Sequence, residues 1–302
     1  MRSCVGCVVR CISDGDTDPD GVIAWYVDHG YNFLSITDHN HITAPADYSR
    51  WESEDFILIS GNEVSDACRD KPIHLLALGL YDESVKPAHG ETIRKTMQNN
   101  IDVISAAGAL PVLAHPNFGW AFGAEEMAGV EGCRLFEVLN AHPAVNNAGD
   151  DTHQSTEEMW DTVLSTGKVL YGIGTDDMHV LATYPGKSWV MVRAEELTEE
   201  AILDVLHEGA FYVSTGVVLR DVEPAGSADP KAQKGKNLKI TIADGPGAPF
   251  KTQFIGRDGS ILKEDTSLKP VYKFKGDELY VRARISDAEG RLALIQPVFT
   301  DK

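Results

Sequence analysis

Apolar residues at helical spacing alternate with short continuous apolar runs over about the first 220 residues. Val22, Ile23, Tyr26 and Val27 form one helical stripe, started by the Asp18-Pro19 cap and stopped at Gly30. The run 33–36 then reads as a strand delivering Thr37-Asp38-His39, and 56–59 as a second delivering Gly61-Asn62-Glu63. Residues 74–78 make a third. Ile93, Met97, Ile101 and Ile104 predict a helix before a strand at 110–114 that ends in His115-Pro116. A strand at 135–139 ends at Asn140. Ser155-x-x-Glu158 is a capping box for a helix through Trp160, Val163 and Leu164, stopped by Gly167. The strand 169–173 leads to Asp176-Asp177-Met178-His179, and a Thr198-capped helix stops at Gly209 before a strand at 211–215.

From about Glu223 the pattern changes to alternation. Segments 238–242, 252–255, 271–274, 279–285 and 292–296 are separated by Asp258-Gly259, Gly276-Asp277 and Glu289-Gly290 turns. The expectation is an α/β domain over residues 1–222 and a small β-sandwich-like, all-β appendage over 223–302, joined by an exposed loop from Pro224. Strand-helix alternation alone fits a barrel or a doubly wound sheet. Polar clusters at the strand ends favour the barrel, and no Gly-x-Gly-x-x-Gly or phosphate-binding loop supports the other.

Charge narrows the function. There are 46 acidic against 27 basic residues, a formal charge of −19, which argues against nucleic-acid and anionic-membrane binding. No apolar run approaches the roughly 20 residues that span a bilayer. The first ten residues lack a secretory pattern, and Cys4, Cys7, Cys11, Cys68 and Cys133 match no zinc or disulfide framework. A cytoplasmic protein with reduced thiols is the expectation.

Four of the ten histidines follow or begin strands in polar company: His39, His74, His115 and His179. Each alone is more often an ordinary surface or core residue. With Asp14, Glu63 and Asp177 they form a recurring set, and imidazole with carboxylate is the ligand mix of zinc, manganese or iron. Asp38 reads equally as a partner orienting a ligand or as a solvated strand end, and Asp176 as an alternative to Asp177. Phosphate recognition needs donors, for which Arg69, Lys187 and Asn140 are candidates, with Arg10 and His142 nearby. Trp120 and Phe122 are candidate walls of the site.

In order, Ser13-Asp14-Gly15, Thr37-Asp38-His39-Asn40, Gly61-x-Glu63-Val64, His74, Ala114-His115-Pro116-Asn117 and Asp177-x-His179 resemble motifs of the PHP (polymerase and histidinol phosphatase) family. Residues 211–216, with Trp160-Asp161 and 172–177, are similar to its CehA/McbA-type metallohydrolase branch. The resemblance implies a distorted (β/α)7 barrel, two and at most three divalent ions (Mn, Zn or Fe), and hydrolysis, usually of small phosphoesters. It implies that Asp14, His39 and His179 hold one ion. It places a second on Glu63, His74 and His115, with Glu63 bridging to a third that also needs Asp177. Asp14, Glu63, Asp177 and His179 are then the catalytic set. The family completes its third site with a His-x-His pair, where this chain has Cys7 and Val9. A Cys7 thiolate could ligate and Val9 cannot. Three readings follow: a phosphoesterase, an impaired metal-binding relative, and a carboxyl or carbamate ester hydrolase using the same ions.

Overall fold

A computed structural model describes residues 2–9, 14–80, 84–183, 185–224, 237–245 and 247–300, excluding the side chains of residues 2, 3 and 7–9. The loop after Pro224, Arg10, Ser13 and the side chains of Cys7 and Val9 therefore lie outside the described residues.

The first part runs β1 (Arg2–Val9), α1 (Pro19–Asp28), β2 (Phe33–Ile36), β3 (Ile57–Ile59), β4 (Gly61–Cys68) and β5 (Lys71–Leu78). It continues with α2 (Ile93–Ala106), β6 (Leu110–Leu113), α3 (Ala124–Gly129), β7 (Leu135–Asn140), α4 (Thr156–Ser165) and β8 (Tyr171–Thr175). Next come β9 (Trp189–Ala194), α5 (Glu199–Glu208), β10 (Phe211–Ser214), β11 (Leu219–Glu223) and β12 (Asn237–Ile242). The remaining strands are β13 (Lys251–Ile255), β14 (Ile261–Asp265), β15 (Val271–Lys273), β16 (Tyr280–Ser286) and β17 (Leu292–Phe299).

The helix signals act as their chemistry requires. The Asp18 carboxylate accepts from Gly21 N at 3.0 Å, and Pro19 occupies the first turn of α1. Ser155 and Glu158 close the capping box of α4 in both directions. Replacing Ser155 by alanine should cost about 1 kcal/mol, measurable by urea unfolding. Gly209 ends α5 at φ +73°, a conformation open to glycine.

The strands form two main sheets. One has five strands in the order β4-β5-β6-β7-β8, antiparallel to β6 and parallel beyond. The other has nine, in the order β14-β13-β16-β17-β10-β9-β1-β2-β3. Phe33 lies across Gly6 of the neighbouring strand, where any β-carbon would fall inside the ring. Residues of both sheets share one core: Phe33, Ile59, Leu76, Val112, Leu135, Ile173 and Val190, closed by Ile202 and Leu206 of α5. A second core lies between the five-stranded sheet and α2, α3 and α4. Of the expected distorted (β/α)7 barrel, the structure shows the α/β class. Among the described residues the architecture is mixed α/β, and the two sheets meet at a single isolated bridge, His39 to Glu63, instead of one continuous ladder. The break is where His39 and Glu63 emerge; the bridge there is parallel, and β4 pairs antiparallel with β5 on its other edge.

The C-terminal strands are not hung on a free linker. β17 pairs with β10, so β13, β14, β16 and β17 extend the nine-stranded sheet, while β11, β12 and β15 cover it as a small three-stranded layer. Tyr212, Ile240, Phe254, Ala283 and Ile295 pack between these layers. Gln296, buried, imitates a strand by accepting from Gly172 N (2.9 Å) and donating to Gly172 O (2.7 Å). Arg282, 1% exposed, donates to both oxygens of Asp161 on α4 at 2.7 and 2.6 Å and lies over the Trp160 ring. No helix among the described residues is long and apolar enough to cross a membrane.

Candidate metal centre

Most of the ligand side chains stand at or beside a strand end. His39 follows β2, Glu63 near the start of β4 meets His74 in the middle of β5 diagonally across the ladder, His115 follows β6, and Asp177 and His179 follow β8. The loop carrying Asp14 is tied to the last of these: Asp16 N donates to His179 O at 2.8 Å, and Asp16 Oδ1 accepts from Leu181 N at 3.1 Å. The donor from Leu181 also holds the Asp16 carboxyl below its ordinary pKa. Asn40 clasps β4 by accepting from Ser65 N and donating to Ser65 O, at 3.0 and 3.1 Å.

Asp14 Oδ2 lies 3.3 Å from His39 Nε2 and 3.3 Å from His179 Nε2. Charge-assisted hydrogen bonds are shorter, about 2.7–2.9 Å. Ligand atoms about 2.0–2.2 Å from a shared cation stand about 2.9–3.5 Å apart, which fits this pair of distances. Glu63 Oε1 approaches His74 Nδ1 at 2.8 Å and His115 Nε2 at 3.0 Å, and its Oε2 lies 3.4 Å from His39 Nδ1. His74 Nδ1 is buried and makes no hydrogen bond despite that approach, because the two groups are misaligned for one. Close donors without hydrogen-bond alignment are what two ligands on one ion look like. The donor set therefore fits divalent metal ions.

Asp14, His39 and His179 lie together. The second compact set is His39, Glu63 and His74, whereas the expectation was Glu63, His74 and His115. His115 instead meets Glu63 from the buried side, 3% exposed. His39 thus stands between the two sets, with Nε2 toward Asp14 and Nδ1 toward Glu63 and a close contact with Ser65 Oγ. Asp14 is 46% exposed and Glu63 not at all, so the cluster runs from an open mouth to a buried floor.

Strain accompanies the site. Asn40, His115 and Asp177 have φ of +50°, +25° and +45°, a region costly for residues with side chains and typical of functional sites. Burial opposes protonation of His115, but the Glu63 hydrogen bond and the carboxylates of Glu63, Glu137 and Asp177 outweigh it and raise its pKa.

The other candidates are placed differently. Asn140 reaches the cluster, but its amide donates to Asp177 Oδ2 (3.1 Å) and Glu137 Oε2 (2.8 Å), so it positions groups and has no hydrogen left for a substrate. Arg69 is exposed at the β4–β5 turn, six residues along the strand from Glu63, and does not reach the centre. Lys187 has an exposed side chain, with its backbone N held by Asp176. Asp176 is committed to Tyr26, Gly186, Lys187 and Ser188 and braces the approach to β9. Asp38 is fully buried and accepts from Thr43.

Trp120 stacks on His153 with ring centres 4.0 Å apart, and Phe122 is buried in the helix-side core. Phe118 is the aromatic that borders the site, 5.2 Å from the His115 ring and 6.4 Å from that of His74. The positive φ of Gly119 and Trp120 turns the following aromatics away. His142 packs edge-on against His179 at 4.6 Å.

Glu137 is a further residue of the site that no motif marks. It is 2% exposed and accepts from His115 N, Asn140 Nδ2 and Thr175 Oγ1. Burial holds its pKa above the ordinary carboxylate range, though Asn140 and Thr175 donate to it. The available signal was one acid within the apolar run Leu135-Phe136-Glu137-Val138-Leu139.

No protein-family model matches the chain, and no curated protein sequence does. Solved structures do. A protein of Bifidobacterium adolescentis assigned as a metal-dependent phosphoesterase is 14% identical, with 67% of this chain and 96% of that one aligned at a TM-score of 0.46. An amidohydrolase of Chromobacterium violaceum with bound sulfate and no metal is 14% identical, with 58% and 88% aligned at 0.40. These two likenesses are too partial to bear on the fold. A two-domain protein of Bacteroides vulgatus containing a predicted PHP-like metal-dependent phosphoesterase is 15% identical, with 98% and 95% aligned at 0.55. Over nearly its whole length, the chain has the fold of that two-domain protein.

Proposed function

We propose that this chain is a metal-dependent hydrolase of small phosphoesters, working at the cluster of Asp14, His39, Glu63, His74, His115, Asp177 and His179. The observation that carries the reading is Asp14 Oδ2 at 3.3 Å from both His39 Nε2 and His179 Nε2, beside a buried Glu63 that meets three imidazoles. The nitrogen and oxygen donors suit manganese, zinc or iron. Bound there, two such ions would supply Lewis acidity toward phosphoryl oxygens and acidify water.

The chain's own residues hold that arrangement. Asp14 and Glu63 supply the negative charge that attracts cations, and His39 stands between the two ligand sets. The Phe118 ring lies beside His74 and His115. Asn140 keeps the Asp177 carboxylate turned inward. The half-exposed Asp14 leaves the entry side open to a ligand. Cys7 and Val9, where the resembled family has two histidines, favour two ions over three.

The test is hydrolysis by chelated protein and by the same protein reloaded with Mn²⁺, Zn²⁺ or Fe²⁺, against phosphomonoesters, phosphodiesters and carboxyl esters. Chelation should abolish phosphoester cleavage and one of the three ions should restore it. Cleavage of carboxyl esters alone would overturn the phosphoester reading, and full activity after chelation would overturn the metal reading.

A further inference from the structure

We propose that Glu137 is a positioning residue that sets the geometry of both halves of the centre without itself touching an ion. The inference rests on the metal-centre reading above. β7 lies between β6 and β8 in the five-stranded sheet, and His115 and Asp177 each lie two residues beyond the end of one of those neighbours. From the middle strand, the Glu137 carboxylate reaches both ends.

Its Oε2 accepts from His115 N at 2.7 Å and from Asn140 Nδ2 at 2.8 Å. Its Oε1 accepts from Thr175 Oγ1 at 2.8 Å. Asn140 uses its remaining amide hydrogen on Asp177 Oδ2 at 3.1 Å. The two residues so anchored, His115 and Asp177, are both at positive φ. Such backbones persist only when their surroundings over-determine them. One carboxylate therefore holds the backbone of a Glu63-side residue and, through Asn140, the side chain beside His179.

Packing alone does not account for an acid here. The flanking residues of the strand, Leu135, Phe136 and Val138, are fully buried and apolar, and burying a carboxylate is unfavourable unless its hydrogen bonds are needed. Acceptor positions, not charge, are the requirement. A glutamine could keep them with its oxygen toward His115 N and Asn140, because the Thr175 hydroxyl can rotate to accept from its amide.

The test is calorimetric titration of chelated protein with Mn²⁺ and Zn²⁺, with the visible spectrum of the Co²⁺-loaded protein as a reporter of ligand geometry. Glu137→Leu should weaken both ions by about 10–100-fold, the usual cost of losing a residue that orients ligands. Glu137→Gln should restore affinity to within about threefold, since the acceptor geometry is retained. Asn140→Leu should weaken only the ion beside His179. Val138→Ala, a core truncation on the same strand, should lower stability and leave affinity and the Co²⁺ spectrum unchanged.

Unchanged binding in Glu137→Leu overturns the proposal, as does equal damage in Glu137→Gln or in Val138→Ala. If Glu137→Leu does not fold, Asn140→Leu decides, and wild-type affinity for both ions there overturns it. A wild-type protein that binds neither ion refutes the metal reading and this inference with it. Wild-type binding with no effect of any variant refutes the inference alone.

Discussion

Glu63→Gln is expected to cut the stabilisation of the protein by divalent ions, leaving only the share from the Asp14, His39 and His179 set, and to lower phosphoester hydrolysis by more than about 100-fold, beyond the loss usual for a residue that only orients ligands. Glu63 is fully buried and is the carboxylate common to His39, His74 and His115. Glutamine keeps its size but removes the charge, and puts an amide where an oxygen must face imidazole nitrogens. At an ion concentration about 100 times the dissociation constant, binding to the native state alone adds about 2.7 kcal/mol. The wild type should show that gain in thermal unfolding with Mn²⁺ or Zn²⁺, and the variant a clearly smaller one. An undiminished shift would mean that the ions sit elsewhere.

Asp161→Ala is the second large effect, and it concerns the fold. Arg282 is 1% exposed and is held by both oxygens of Asp161 and by Glu157, while Tyr280 also donates to Asp161 at 2.9 Å. Removing the acid leaves a buried guanidinium with Glu157 as its one remaining carboxylate partner among the described residues, at a cost of up to about 3–5 kcal/mol. Domains hold about 5–15 kcal/mol in all, so the urea midpoint should fall steeply. Replacing both residues with apolar ones, Asp161→Leu with Arg282→Met, should recover much of the loss, since no charge is then left unpaired. Unfolding should remain one transition, because β10 and β17 share a sheet and Tyr280, Leu294 and Phe299 belong to the helix-side core. A separate early transition would show that the C-terminal strands melt by themselves.

Local signals carried most of the helices. Asp18, Ser155, Thr198 and Gly209 mark their termini because caps satisfy backbone groups within a few residues. Strands β4 and β14 lack the local pattern of a strand for physical reasons. β4 reads Gly61-Asn62-Glu63-Val64-Ser65-Asp66-Ala67-Cys68, with polar groups on both faces: Glu63 toward the centre, and Asp66 toward His89 and Asn100. No apolar alternation survives such use. β14 carries Lys263, Glu264 and Asp265 because it is an edge strand.

The site was legible as a set of residue types after strands, and not as a geometry. Nothing local indicates that His39 would stand between two ligand sets, or that His115 would meet Glu63 from beneath. Asn140 was visible as a polar strand end, but that both hydrogens of its amide are used internally depends on Glu137 and Asp177, three and 37 residues away in sequence. Phe118 borders the site in place of Trp120 and Phe122 because of backbone angles at Gly119 and Trp120, which composition does not reveal.

The most direct test of the central claim is anomalous diffraction from a crystal of the wild-type protein loaded with Mn²⁺ or Zn²⁺. Two anomalous peaks are predicted, one among Asp14, His39 and His179 and one beside Glu63. Loaded crystals with no peak at either position would contradict it.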